Sequence, residues 1–364
     1  MKRRRVLMLF GGRSAEHDVS RATAVAVASA LDPDKYEVVP VAITTDGKWL
    51  LADDAVAQLQ GARDALPAAF AASGSPVELP SEPGRAELVR REAGAPVAVD
   101  VVLPLLHGPY GEDGTVQGLL ELAGLPYVGA GVLGSAVGMD KIMMKRAFAA
   151  AGLPFARYLA MRDGHDAGQF AARVVAELGL PCFVKPANMG SSIGVSKART
   201  PGELTDAIAL ALEYDEWIIA EEAIAGREIE VAVLGDDPPE ASVPGEVVPG
   251  ADFYDYGDKY ENGKARLLVP APLTDAEAAE VRALATRAFE ACRGEAMARV
   301  DCFLRPGGSF VVNELNTIPG FTPISMYPKL WAASGLDYPA LLDRLIDLAI
   351  DRHVRRARRA GRQR

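Results

Sequence analysis

The chain reads as an α/β protein of several domains, with an open, mostly parallel sheet first and α+β architecture after it. Three observations predict this. The apolar run Val6–Phe10 meets Gly11-Gly12 and then a helical stretch, VSRATAVAVASAL, with the strands YEVVPVAIT and VDVVLPLL beyond. Strand, glycine turn, helix and strand in that order build an open sheet whose ligand sites lie at strand carboxyl ends. From Gly134 onward short strands alternate with helices. Near residue 300 two apolar runs flank Pro306-Gly307-Gly308, the signature of a hairpin. At 364 residues the chain exceeds one small core. We divide it at 1–135, 136–225 and 226–364.

Residues 52–98 are rich in Ala, Pro and Glu with weak periodicity, and are expected to form surface structure away from any site. A helix is expected over MDKIMMKRAFAAAG. PCFVKPA and GVSKA read as two strands joined by a Gly/Ser connection, PGELTDAIALALEY as a helix, and EWIIAEEAI and REIEVAVLG as strands. Residues 244–266, rich in Gly, Tyr, Asp and Pro, read as a long functional loop. RLLVPAPL, a long amphipathic helix (DAEAAEVRALATRAFEACR), the hairpin and a helix from about Tyr338 complete the order.

Composition narrows the class. Hydrophobic residues make up 49% and charged ones 24%, as in an ordinary globular enzyme. No apolar run has the length of a membrane span. The start, MKRRRVLMLFGG, lacks a small-residue cleavage site and reads as a strand rather than a signal peptide. Three scattered cysteines without metal-ligand spacing suit buried thiols in a reducing cytoplasm. A net charge of −10 argues against a nucleic-acid-binding body. The exception is RHVRRARRAGRQR at the end, which suits either a solvated helix end or contact with an anionic partner.

The hairpin carries the sharpest chemical expectation. If Gly307-Gly308 is a two-residue loop, Pro306 pairs with Ser309 and Asp301 faces Glu314. Glu314 and Asn316 are two apart and share a strand face. Three oxygen donors then converge, as Mg²⁺ requires. A three-residue loop would slip the register and turn Asp301 away.

Other residues suggest a nucleotide. Lys185 ends a strand and precedes Asn188-Met189-Gly190-Ser191-Ser192-Ile193-Gly194, whose backbone N–H groups can close over phosphate oxygens. The segment does not match the P-loop pattern, and it also suits a plain β-turn. Glu221-Glu222-Ala223-Ile224 ends an apolar strand, where backbone can meet an adenine edge and Glu228 a ribose hydroxyl; a solvated acidic strand end fits the same residues. Glu16 and His107 fall at strand ends of the first domain, where a carboxylate suits a substrate ammonium.

Taken together, GGRSAEHDVS, LLHGPYGEDGTVQGLLE, GMDKIMMK, FVKPANMGSSIGVSK, EEAIAGREIEVAVLG, FYDYGDKY, ARVDCFL and NELNTIPGFTPISMYP resemble the motifs of the ATP-grasp enzymes. Within them the resemblance is to the D-alanine–D-alanine ligase family, in family order over nearly the whole chain. It implies a cytoplasmic homodimer packed through its N-terminal domain that joins two D-alanines for peptidoglycan at the expense of ATP. Lys141, Lys185 and Lys259 would meet the phosphates. Phe183 and Glu221, Glu222, Ala223 and Ile224 would hold adenine, with Glu228 on the ribose. Asp301, Glu314 and Asn316 would bind two Mg²⁺ ions, or Mn²⁺ in their place. Glu16 would take the first substrate's ammonium, with Val19 and His107 beside it, and Ser191 and Tyr260 would link to Glu16 as a loop closes. Arg299 and the Gly320 N–H would stabilise an oxyanion.

The second substrate is argued from the same resemblance. Ligases that make D-alanyl-D-lactate look like proteins with His where this chain has Tyr260 and Arg where it has Met326. Ser325 would bind the second carboxylate and Met326 would wall a methyl group. D-alanine is therefore expected, with D-lactate or D-serine as the alternative. A nucleotide-binding protein that had lost catalysis would have shed some of Asp301, Glu314, Asn316, Lys185 or Arg299, and all five are present.

Overall fold

The computed structural model describes residues 2–52, 74–80, 85–91, 95–250, 265–322 and 324–360. The chain opens with β1 (Arg4–Gly11), α1 (His17–Ala30) and β2 (Tyr36–Ile43). Then come β3 (Trp49–Leu51), β4 (Ser75–Glu78), β5 (Glu87–Arg90), β6 (Val97–Ala98) and β7 (Val101–Pro104). Their order across the sheet is β6-β5-β4-β3-β2-β1-β7. Only β2, β1 and β7 run parallel, and the rest are antiparallel. The stretch 52–98, expected as plain surface structure, therefore supplies three antiparallel strands. Their brevity, four residues or fewer, left too little periodicity to detect.

After α2 (Thr115–Ala123) come α3 (Val132–Met139) and α4 (Lys141–Ala150), and the helix expected over MDKIMMKRAFAAAG is α4, with only Met139 at the end of α3. Asp140 leaves the helical region at φ −80°, ψ 103°, and its carboxylate accepts from the N–H groups of Ile142 and Met143. An Asp that caps a new helix in this way ends the one before it.

The second sheet, in order β10-β9-β11-β8, is antiparallel throughout. It comprises β8 (Tyr158–Arg162), β9 (Cys182–Pro186), β10 (Ser196–Ala198) and β11 (Trp217–Glu222). α5 (Ala167–Glu177) and α6 (Pro201–Leu212) bury Phe170, Val174, Leu204 and Ile208 against one face. Ile142 of α4 packs with Ala187 and Ile219 on the other.

The third sheet is formed by β12 (Arg227–Leu234), β13 (Glu240–Ala241), β14 (Gly245–Val248), β15 (Arg266–Leu268), β16 (Met297–Leu304) and β17 (Phe310–Asn316). α7 (Asp275–Ala291), opened by a Thr274/Glu277 capping box, covers one face through Val281, Leu284 and Phe289. The expected loop 244–266 thus begins and ends in strands. α8 (Met326–Ala333) and α9 (Tyr338–Ala360) join a core that contains both Met8 and Phe10 of β1 and Ala232 and Leu234 of β12. The first and third sheets accordingly share one hydrophobic interior.

Candidate active site

The β16–β17 hairpin does not have the expected two-residue loop. Arg305 N donates to Ser309 O and Gly308 N to Arg305 O, which leaves Pro306, Gly307 and Gly308 as a three-residue turn with Gly308 at φ +81°. Near the turn Leu304 pairs with Phe310 and Cys302 with Val312, a register that would place Asp301 opposite Asn313. A β-bulge between these pairs absorbs Asn313, and beyond it Asp301 faces Glu314 and Arg299 faces Asn316. Two departures from a simple hairpin cancel, so Asp301, Glu314 and Asn316 share the face that was expected.

That face is strongly acidic. Glu230 pairs with Asp301 in register and Glu228 with Phe303, which brings four carboxylates to one surface. Arg299 answers them: its Nε and Nη2 each lie 2.7 Å from Asp301, and Nε lies 3.2 Å from Glu230. Asn316 Nδ2 donates to Asp301 at 3.0 Å. Burial opposes the charge on Arg299, yet Asp301 and Glu230 outweigh it and raise its pKa well above the ordinary value. Among the described residues no three His, Cys, Asp or Glu side chains already form an ion cradle. The donor chemistry nonetheless fits a hard divalent cation: two carboxylates and an amide on one face with a surplus of negative charge, partly met by a guanidinium.

The same cleft, about 2020 Å³, reaches the second sheet and α1. Ligand pockets usually occupy ~300–1,000 Å³, so more than one molecule has room. Lys185 and the Glu221–Ile224 strand end line it, as do Phe183 and Glu228. The side chain of Glu221, expected beside adenine, instead bridges Lys145 at 3.0 Å and Lys185 at 2.8 Å within the domain. Burial alone would raise the Glu221 carboxyl, but the two ammonium groups outweigh it and hold it at about 2. Burial also opposes the charge on Lys185, and Glu221 and Glu314 win, raising its pKa. Lys141, the first residue of α4, donates to Met189 O in the glycine loop at 2.6 Å; burial lowers its pKa against the pull of Glu314.

At the first domain, Glu16 ends the β1 turn and is 5% exposed. Ser191 Oγ donates to its Oε1. Its Oε2 has no hydrogen-bond partner among the described residues, and Cβ atoms built on Gly108 or Gly190 would stand 2.7 or 2.8 Å from it. Two glycines thus leave room at a buried carboxylate oxygen that lacks a donor, which suits an ammonium. His107 is fixed from both sides, with Nδ1 3.1 Å from Ile318 O and Nε2 3.3 Å from Thr23 Oγ1. Burial lowers its pKa despite the nearby Glu16, so the neutral ring ties the first domain to the loop after β17. In that loop a Cβ on Gly320 would meet Ser325 Oγ at 2.9 Å. Val19 and Ser325 line the cleft; Met326 touches it too, but is 4% exposed and belongs mainly to the core around α8.

Three residues escaped sequence reasoning. Lys145 was readable only as the second lysine of DKIMMK, four residues past Lys141 on the same helix face. Glu230 alternates with Glu228, and that period-two pattern was the available signal. Glu112, in the GEDG turn, accepts from Gly108 N at 2.7 Å, and burial together with the Glu16 charge lifts its carboxyl to about 8. Lys259 and Tyr260 lie outside the described residues.

Comparison with known proteins identifies the family. The profile described as "D-ala D-ala ligase N-terminus" matches residues 5–130, and "D-ala D-ala ligase C-terminus" matches 147–347. The D-alanine–D-alanine ligase of Geobacillus kaustophilus is 48% identical over 352 residues, covering 96% of this chain and 95% of the relative. That of Streptomyces griseus is 49% identical over 365 residues, covering 96% and 93%. Among solved structures, the D-alanine–D-alanine ligase from Coxiella burnetii superposes with a TM-score of 0.88 at 36% identity, covering 99% of this chain and 98% of that one. The D-Ala:D-Ser ligase from Enterococcus faecalis gives 0.85 at 33%, covering 96% and 100%. On matches of this extent, the chain is an ATP-grasp protein of the D-alanine–D-alanine ligase family.

Proposed function

We propose that the cleft joins two D-alanines, using ATP, by way of a D-alanyl phosphate. The observation that carries the reading is the buried, donor-deficient Glu16 Oε2 on one cleft with the Asp301–Glu314–Asn316 face and the Lys141 and Lys185 ammonium groups. Identities of 46–49% over nearly the whole chain to ligases named for D-alanine favour D-alanine as second substrate.

The chemistry follows from charge. A carboxylate resists a nucleophile, so the first D-alanine must be activated by phosphoryl transfer. Glu16 holds its ammonium, and Ser191 fixes the carboxylate that does so. Lys141 and Lys185 offset phosphate charge at the domain boundary, and Lys259 joins them from its loop. Phe183 and the backbone of the 221–224 strand end contact the base, and Glu228 the ribose. Mg²⁺ or Mn²⁺ held by Asp301, Glu314 and Asn316 would neutralise the phosphates and polarise the group in transfer. The second D-alanine, its carboxylate at Ser325, then attacks with a neutral amine. Arg299 and Gly320 N–H meet the oxyanion of the tetrahedral intermediate, where one such donor is worth about 10²–10³ in rate. Tyr260 joins Glu16 and Ser191 in closure, which keeps water from the acyl phosphate.

The division at 1–135, 136–225 and 226–364 then assigns amino-acid binding to the first domain and nucleotide and metal to the other two. We place the enzyme in the cytoplasm as a homodimer. Three free, buried cysteines suit a reducing compartment. Exposed Leu119 and Leu122 on α2 and Val132 and Leu133 on α3 offer an apolar patch for a second copy. Product analysis with D-alanine and D-lactate offered together decides the substrate. D-alanyl-D-alanine should dominate at neutral pH; ester as the main product there would favour the D-lactate alternative.

A further inference from the structure

We infer that Lys145 is a positioning residue that leaves the Lys185 ammonium uncompensated toward the nucleotide, by taking one oxygen of Glu221 for itself. This rests on the reading of Lys185 as a phosphate ligand. Lys145 is 0% exposed and sits on α4, behind the cleft wall, where it cannot reach a ligand. A fully buried lysine survives only when paired, so its retention calls for a partner that needs it.

That partner is Glu221. Oε1 lies 3.0 Å from Lys145 Nζ and Oε2 lies 2.8 Å from Lys185 Nζ. In the β9–β11 ladder Lys185 pairs with Ile219 and Phe183 with Glu221, so Lys185 and Glu221 share the face on which Ile219 packs against Ile142 of α4. Lys145 faces the Phe155 ring at 5.9 Å away from the cleft, whereas Lys185 and Glu221 line it.

The charge sum gives the purpose. Glu221 with Lys185 alone would be a neutral pair, and both carboxylate oxygens would be free to draw the ammonium back. Adding Lys145 leaves one net positive charge, and the cation nearest the cleft presents it. Because α4 opens with Lys141, held to Met189 O of the glycine loop at 2.6 Å, one short helix sets both phosphate-facing lysines.

The test is nucleotide binding by calorimetry, with an unreactive ATP analogue and Mg²⁺, alongside KM values for ATP and D-alanine. Lys145→Met should weaken nucleotide binding roughly tenfold or more, as expected for loss of one nearby charge in a poorly screened site, while KM for D-alanine moves little. Lys145→Arg should stay close to wild type. Lys145→Met/Glu221→Gln, which restores one net positive charge at Lys185, should recover most of the loss. Nucleotide binding by a folded double variant as weak as that of Lys145→Met would overturn the inference, as would wild-type binding by Lys145→Met. Should Lys145→Met alone fail to fold, the double variant decides, since it must bind within a few-fold of wild type. Lys185→Met separates the two levels: unchanged nucleotide binding there removes the phosphate-ligand reading itself, whereas weak binding there with normal binding in Lys145→Met removes only the role of Lys145.

Discussion

Glu112 and Glu221 are carboxyls of one cleft that burial and neighbours push in opposite directions, to about 8 and about 2 from an ordinary 4.5. A carboxyl raised on folding holds its proton more tightly in the native state. Its contribution is complete below pH 4.5 and is lost as pH rises through about 8. Glu112→Gln should therefore flatten part of the fall in thermal stability between those values; an unchanged slope in melting temperature against pH would contradict it. Glu221 acts the other way, and its contribution disappears as pH falls from 4.5 toward 2. For catalysis, Glu314→Gln should cut turnover by at least about 10²-fold, the scale of a lost electrostatic stabiliser, with near-wild-type circular dichroism. Activity close to wild type would remove Glu314 from the metal set. Glu16 and His107 were legible because strand carboxyl ends can be read from one segment. Glu112 and Lys145 were not, because the groups they stand beside, Glu16 and Glu221, are distant in sequence.

The hairpin shows what a segment reveals and hides. Its strands and the presence of a turn were readable from apolar runs and from Pro306-Gly307-Gly308, but the turn has three residues rather than two, and Asp301 faces Glu314 only because the bulge restores the register. The bulge at Asn313 was not readable, since a bulge changes which face a residue takes without changing its composition. Val312 and Leu315, three apart, both enter the core beneath α7, an odd spacing that only an inserted residue permits. Deleting Asn313 should leave Val312 opposite Cys302 and Glu314 opposite Asp301 in an unbulged ladder, so Mg²⁺-dependent turnover should survive. Loss of turnover in a folded variant would mean that the bulge itself, and not only the facing of the pair, sets the geometry of the site. At the turn, Gly308 at φ +81° should make Gly308→Ala cost about 1 kcal/mol in chemical denaturation.

Across the whole molecule, α9 turns the arginine-rich end into a strap. Arg352 is 3% exposed; its guanidinium donates to Tyr127 O at 2.7 Å and Gly129 O at 2.6 Å and lies over the Tyr127 ring at 4.7 Å. Arg356 reaches Glu121 and Glu295, and Arg355 reaches Asp236. Sequence suggested a solvated helix end or contact with an anionic partner, because a run of arginines does not say which of them face carbonyl groups. Exposed pairs such as Arg4–Asp347 should contribute under about 1 kcal/mol each. Arg352→Ala, which strands two buried carbonyls, should cost about 2–4 kcal/mol in urea unfolding. A loss below about 0.5 kcal/mol would show that α9 does not fasten the first domain to the third.

Activation of a carboxylate by phosphoryl transfer is the step on which the functional reading turns, and one isotope experiment addresses it. D-alanine carrying ¹⁸O in its carboxylate, incubated with enzyme, ATP and Mg²⁺, should deliver one labelled oxygen to each phosphate released, since the bond broken when the amine attacks joins the acyl carbon to that oxygen. Unlabelled phosphate accompanying dipeptide formation would contradict the account.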